Sequence, residues 1–261
     1  MKRQPVLFLG HGSPMNAIEE NSYVEGFRNL SAKLNKPKAI LCISAHWESF
    51  GTKVTMTLKP STIHDFGGFP KELFDVQYPA PGSPELAEEI IRSVVGTTVH
   101  PDHEWGLDHG CWSVVKHLYP EADVPVVQLS IDYRKTPAQH IALAKELTVF
   151  RDQNVLIIGS GNLVHNLRTI AWDRMQPDSE PFDWATEANE GMKKFILNFD
   201  LESLSNITSF GQSYQLAVPT PEHFLPILYV LGACSADENL RLFNDSCVGG
   251  SLSMTSVVMG L

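Results

Sequence analysis

The chain has 261 residues, 20 basic and 30 acidic, for a formal net charge of −10. At about 150 residues per domain, that length allows one large domain or two small ones, and it buries a full core without disulfide staples. With 43% hydrophobic and 19% charged residues the chain is too apolar to be disordered, and its acidic excess excludes a nucleic-acid backbone or an anionic membrane surface as partner, since both demand a basic face.

In chain order, Pro5–Leu9 reads as a strand. Its apolar run meets glycine at once, so it is far too short for a secretory signal. A helix is expected over Asn21–Leu34, then strands over Ala39–Ile43 and Val54–Leu58. The Pro/Gly-rich stretch Pro60–Pro84 follows, and a loop of that length in a compact domain usually serves as a lid or binding loop. Ser83 as N-cap and Pro84 at the first helical position open a helix to Val95, the arrangement that satisfies orphan N–H groups at a helix start. Further elements are a helix over Cys111–Leu118, a strand over Val124–Ile131, a helix over Pro137–Asp152 and a strand over Val155–Ile158. Helices over Trp184–Phe199 and Glu222–Leu231 come next, and the strand Ser251–Met259 alternates enough to sit at a sheet edge.

The short runs are nearly continuous in hydrophobicity, as strands buried on both faces must be. Their alternation with amphipathic segments predicts an α/β fold, with a mixed, mostly parallel central sheet and helices on both faces. No linker-like stretch divides the chain, so residues 1–261 are read as a single domain. The four cysteines, Cys42, Cys111, Cys234 and Cys247, form no CxxC pair, and with no signal peptide they read as reduced thiols in a cytoplasm. No run approaches the ~18 apolar residues of a membrane span.

Ligands of open α/β sheets bind beyond the carboxyl ends of the strands, and there the histidines gather. Strand one runs into Gly10-His11-Gly12-Ser13, strand two into Ser44-Ala45-His46-Trp47, and the Val155 strand into Gly159-Ser160-Gly161-Asn162 with His165 beyond. His109 and His223 stand at the starts of helices, and His64 lies in the long loop just ahead of two phenylalanines, Phe66 and Phe69. A lone histidine after a strand is more often a hydrogen-bonded loop residue than a ligand. His11 and His46 together, on sequential strands expected to be neighbours, make a better case, because imidazole suits zinc, iron, copper and nickel. His100, His103, His117 and His140 have no such placement and are assigned to the surface or to helix faces. There is no GxSxG, P-loop or HExxH, and Gly159-Ser160-Gly161 lacks the third glycine of a dinucleotide turn.

The segments GHGSPM (Gly10–Met15), SAHWES (Ser44–Ser49), HDFGGFP (His64–Pro70), YPAPGSP (Tyr78–Pro84), DHG (Asp108–Gly110), QLSID (Gln128–Asp132), GSGNLVHNLR (Gly159–Arg168) and TPEHFLPILYVLGA (Thr220–Ala233) together resemble the class III extradiol ring-cleavage dioxygenases. The likeness runs over nearly the whole chain and is nearest to the 4,5-DOPA extradiol branch. It implies one divalent metal ion, Zn2+ or Fe2+, held by His11, His46 and His223, with Glu222 as the fallback ligand and His165 as base and additional ligand. It also implies His109 as a second active-site histidine. The Pro60–Pro84 loop, with His64, Phe66 and Phe69, is expected to cover the substrate, since aromatic sites are usually apolar pockets with a few placed polar groups. The partners implied are a small aromatic diol and O2, with monomer and homo-oligomer both open. Two other readings of the same histidines stand beside it: a zinc-dependent hydrolase and a non-catalytic metal-binding protein.

Overall fold

Six strands pair into one sheet in the computed structural model, which describes residues 3–177 and 179–261. They are β1 (Val6–Gly10), β2 (Ala39–Ser44), β3 (Val126–Gln128), β4 (Val155–Gly161), β5 (Leu240–Phe243) and β6 (Ser256–Met259), in the spatial order β3-β2-β4-β1-β6-β5. The first four are parallel, and β6 runs antiparallel to both β1 and β5. The sheet is thus mixed and mostly parallel, and its parallel strands end along one edge.

Every residue of β1, β2, β4 and β6 is buried, which is why these segments are apolar almost without interruption. Successive side chains point to opposite faces. Val6 and Phe8 join the core formed with α2 (Pro84–Ser93), α4 (Pro137–Leu147), α5 (Asp183–Leu197) and α6 (Leu225–Gly232). Leu7 and Leu9 join a second core with α1 (Ser22–Ser31) and α3 (His109–Leu118). Each fully buried leucine contributes roughly 1.5–3 kcal/mol relative to exposure. α1 shows the local logic: Asn21 caps the N–H groups of Tyr23 and Val24, and Tyr23, Val24, Phe27 and Leu30 form the buried stripe.

Several expectations need correction. β1 and β2 are not neighbours, because β4 lies between them; sequence adjacency is only a tendency, and the longest parallel strand takes the centre. β6 is internal, while the edge belongs to the unforeseen β5. The run Val124–Ile131 divides into β3 and the two-residue strand Ile131–Asp132, which pairs with Glu48–Ser49. The strand expected over Val54–Leu58 lies at Thr52–Thr55, paired with Val99–Asp102; the proline and histidine within that partner hid it. The helix expected through Asp152 breaks at Thr148. The late helix begins at Leu225 rather than Glu222, because the ring of Pro226 clashes with a helical carbonyl four residues back. His223 therefore sits in the turn before the helix. Among the described residues no helix is long and apolar enough to cross a membrane.

Candidate active site

The sheet delivers its histidines through tightly tied strand ends. His11 follows β1 directly and donates its N–H to Gly161 O at 3.2 Å. His46 follows β2, with its N–H on Ser44 Oγ at 3.2 Å. Ser44 donates in turn to Asp108 Oδ1 at 2.6 Å, and the same carboxylate oxygen caps α3 by accepting the Cys111 N–H at 3.0 Å. The strand end carrying His46 and the helix start carrying His109 are thus one hydrogen-bonded unit. Gly110 is required there, since a Cβ would lie 2.4 Å from Ser44 Oγ and 2.8 Å from His46 Cδ2. On the other side, Asn162 donates its N–H to His223 O at 2.8 Å, and His165 is fixed by its N–H on Ala217 O at 2.9 Å.

These ties bring five imidazoles together. His11 Nε2 and His46 Nε2 lie 3.2 Å apart. The His223 ring centre is 5.4 Å from that of His11 and 5.0 Å from that of His46. His109 lies 3.8 Å from His46, and His165 stacks on His223 at 3.5 Å. The ligand atoms of His11, His46 and His109 fall within 4.8 Å of one another, as do those of His165, Glu222 and His223.

In four of the rings Nδ1 lies beside an oxygen atom. Ser160 Oγ donates to Gly110 O at 2.5 Å and lies 3.0 Å from His11 Nδ1. With its own proton committed, the hydroxyl accepts from His11, which assigns that proton to Nδ1 and leaves Nε2 bare. Asp65 Oδ2 lies 3.4 Å from His46 Nδ1 and 3.0 Å from His109 Nδ1, while its Oδ1 accepts the His109 N–H at 2.9 Å. Glu222 Oε1 lies 3.1 Å from His223 Nδ1. His223 Nε2 is buried with no hydrogen-bond partner among the described residues. Such acceptors fix the tautomer and orientation of metal-binding histidines.

Burial, reinforced by the neighbouring imidazoles, holds the pKa values of His11 and His223 well below the usual value. Burial likewise lowers His46 to about 3 and His165 to about 4. These rings are neutral at pH 7, the form that ligates a metal. At Asp65 burial pushes the carboxyl up, but the hydrogen bonds and charge of His109 outweigh it and the net shift is downward.

The residues fit a metal ion. Two bare nitrogens 3.2 Å apart would subtend about 100° at an ion bound at ~2.05 Å. The orphaned Nε2 of His223 supplies a third donor without a competing partner.

All five histidines line one cavity of about 630 Å³, together with Phe66 and Phe69 from the long loop. His64 is not on its wall. Its Nε2 lies 3.0 Å from Val76 O, and its ring packs against Phe66, Phe74 and Trp112. It packs behind the loop, off the cavity wall. Of the histidines set aside, His100 and His103 are exposed; His117 and His140 are buried on helix faces, bonded to Asn16 O and Tyr229 Oη. Sequence reasoning missed Asp65 and Ser160, each beside a residue it singled out, and it missed the far wall of Leu167, Ile170, Trp172 and Met175.

The family described as the catalytic LigB subunit of aromatic ring-opening dioxygenase matches residues 5–255. A 4,5-DOPA dioxygenase extradiol of Escherichia coli K12 is 46% identical over 99% of this chain and 95% of its own length. One from Beta vulgaris is 36% identical over 95% and 94%. The solved structure of an uncharacterized protein from Escherichia coli K12 superposes with a TM-score of 0.85 at 41% identity, covering 99% of this chain and all of that one.

Proposed function

Since the chain belongs to the family of the catalytic LigB subunit of aromatic ring-opening dioxygenases and is an extradiol dioxygenase, we propose that its substrate is a DOPA-like catechol and that its histidine cluster holds one divalent metal ion. The single observation that carries the metal reading is the facing pair of His11 and His46 Nε2 atoms with the unpartnered Nε2 of His223 beside them. His11, His46 and His223 are the ligands in this reading. Glu222, expected as the fallback ligand, instead accepts from His223 Nδ1 and from the Thr220 hydroxyl at 2.8 Å.

When bound, the ion would lower the pKa of the diol hydroxyls, bring diol and O2 together, and relay electrons to triplet oxygen, which Fe2+ can do and redox-inert Zn2+ cannot. The chain supplies the rest. His165, neutral at pH 7 and on the cavity wall, accepts the second hydroxyl proton and returns it as the ring opens. His109, held by Asp65 at both its backbone N–H and its ring, lines the cavity as a second imidazole facing the substrate. Phe66 and Phe69 meet at 5.5 Å edge to face and give the aromatic ring an apolar wall. Both oxygen atoms end in the product, a muconic semialdehyde, so no external reductant is consumed. The four cysteines are all free thiols, which supports a reducing, cytoplasmic location.

The deciding experiment is anaerobic reconstitution with Fe2+, followed by oxygenation with DOPA and simpler catechols, read by the yellow absorbance of the ring-opened product. Turnover with Fe2+ and none with Zn2+ is expected. Zinc-supported ester or amide hydrolysis without ring opening would return the hydrolase reading.

A further inference from the structure

The wall of the cavity carries charge of one sign. Among the described residues that line it, Asp65 is the one carboxylate, and neither a lysine nor an arginine is present. Arg168 lines a separate hollow, which Glu222 also lines. The large remaining side chains of the cavity are apolar: Phe66, Phe69, Leu167, Ile170, Trp172 and Met175. The chain's net charge of −10 adds a field of the same sign.

A metal ion does not reverse this balance for the rest of the ligand. With the second hydroxyl proton on His165, the charges of ion, diol, His165 and Asp65 cancel, so a further anionic group on the ring meets apolar walls and no excess positive charge. No lysine or arginine lines the cavity to compensate the desolvated carboxylate.

Building on the catechol reading above, we propose that this cavity selects catechols by where they carry negative charge. It takes those whose ring substituent is uncharged or cationic, and it admits a carboxylate only on a flexible chain long enough to carry it past the rim into water. A carboxylate attached directly to the ring is disfavoured. Partly desolvating a carboxylate with no cation to pair it costs about tenfold in affinity.

The test uses the Fe2+-loaded protein under anaerobic conditions. It is titrated with 4-methylcatechol, dopamine, DOPA and protocatechuate, and binding is followed by tryptophan fluorescence, Trp172 being 64% exposed and part of the cavity wall. The expected order places 4-methylcatechol and dopamine about tenfold tighter than protocatechuate, with DOPA close to dopamine. Protocatechuate binding as tightly as 4-methylcatechol would overturn the proposal. Leu167→Arg puts a cation into the wall at a position already 51% exposed, where folding tolerates it, and should narrow the gap between the two probes to about threefold or less. An unchanged gap in that variant would show that charge is not its origin and would also overturn the proposal. Ring opening is scored separately on admission of O2: its absence with every catechol refutes the dioxygenase reading, while the binding order alone decides this one.

Discussion

Ser160→Ala isolates the orientation of a ligand from its identity. The hydroxyl is fully buried and makes two contacts, donating to Gly110 O at 2.5 Å and accepting from His11 Nδ1 at 3.0 Å. Removing it leaves a buried imidazole N–H without a partner, while Gly110 O stays in the hydrogen-bond ladder of α3; His11 itself is only 2% exposed. One orphaned buried group costs about 1–3 kcal/mol, which is the expected loss in stability. The His11 ring also loses the contact that fixes its proton on Nδ1. Losing the hydrogen-bond partner behind a ligating histidine typically lowers metal affinity about 10–100-fold. The assay is a competition titration of Fe2+ or Zn2+ against a chromophoric chelator, beside urea unfolding of the metal-free protein. At saturating metal the ring-opening rate should stay within a few-fold of the parent, because Ser160 does not line the cavity. Unchanged metal affinity, with the protein folded, would refute the assignment of the Nδ1 proton and the orienting role with it.

His223→Ala should strip the metal while Glu222→Gln retains most of it, measured as metal content after dialysis; the reverse result would restore a two-histidine, one-carboxylate ligand set. His165→Ala should keep nearly full metal content yet lose on the order of 10²–10⁴ in kcat; a variant unable to hold metal would make His165 an obligatory ligand, and full turnover would pass the role of base to His109. Phe66→Ala and Phe69→Ala should each raise the catechol KM without loss of metal, and an unchanged KM in both would return the loop to a purely structural role. Metal-free protein should be acid-sensitive. His46 and His165 are lowered to about 3 and about 4 in the fold, against roughly 6.5 unfolded. The unfolded chain therefore binds more protons between those values, and stability present above about pH 6.5 is lost as pH falls toward 3–4, at on the order of 1 kcal/mol per pH unit for each group. A flat urea midpoint between pH 7 and pH 4.5 would contradict those shifts.

What the sequence disclosed was local. Continuous apolar runs marked β1, β2, β3 and β4 and an alternating one marked β6, and the histidines beyond β1, β2 and β4 were conspicuous because parallel strands gather at one edge. The pairing order was not legible: nothing in Pro5–Leu9 says that Val6 will face Ile157 on one side and Met259 on the other. The short helices Leu201–Ser205 and Gln212–Ala217 were missed because segments of five or six residues carry too little periodicity to register. Asp65 and Ser160 escaped for a different reason. Their importance lies in partners 44 and 149 residues away in sequence, and an Asp in a loop or a Ser between glycines looks the same whether or not a histidine waits opposite. Pro226 was legible and was passed over, though it limits the helix start and so places His223 in a turn.

The position of β4 between the two strands that carry His11 and His46 sets a timetable. A chain emerging from the ribosome exposes His11 and His46 early, but their strands are joined only through residues 155–161, and β1 gains its second neighbour from residues 256–259. Contacts of such long sequence separation form late and cooperatively. The first 150 residues therefore present two histidines with nothing to hold them 3.2 Å apart, and His165 and His223 are not yet synthesised. With the proposed ligand set, a metal ion that meets the growing polypeptide finds no complete pocket in which to lodge, and loading would wait until translation has passed β4 and the turn that carries His223.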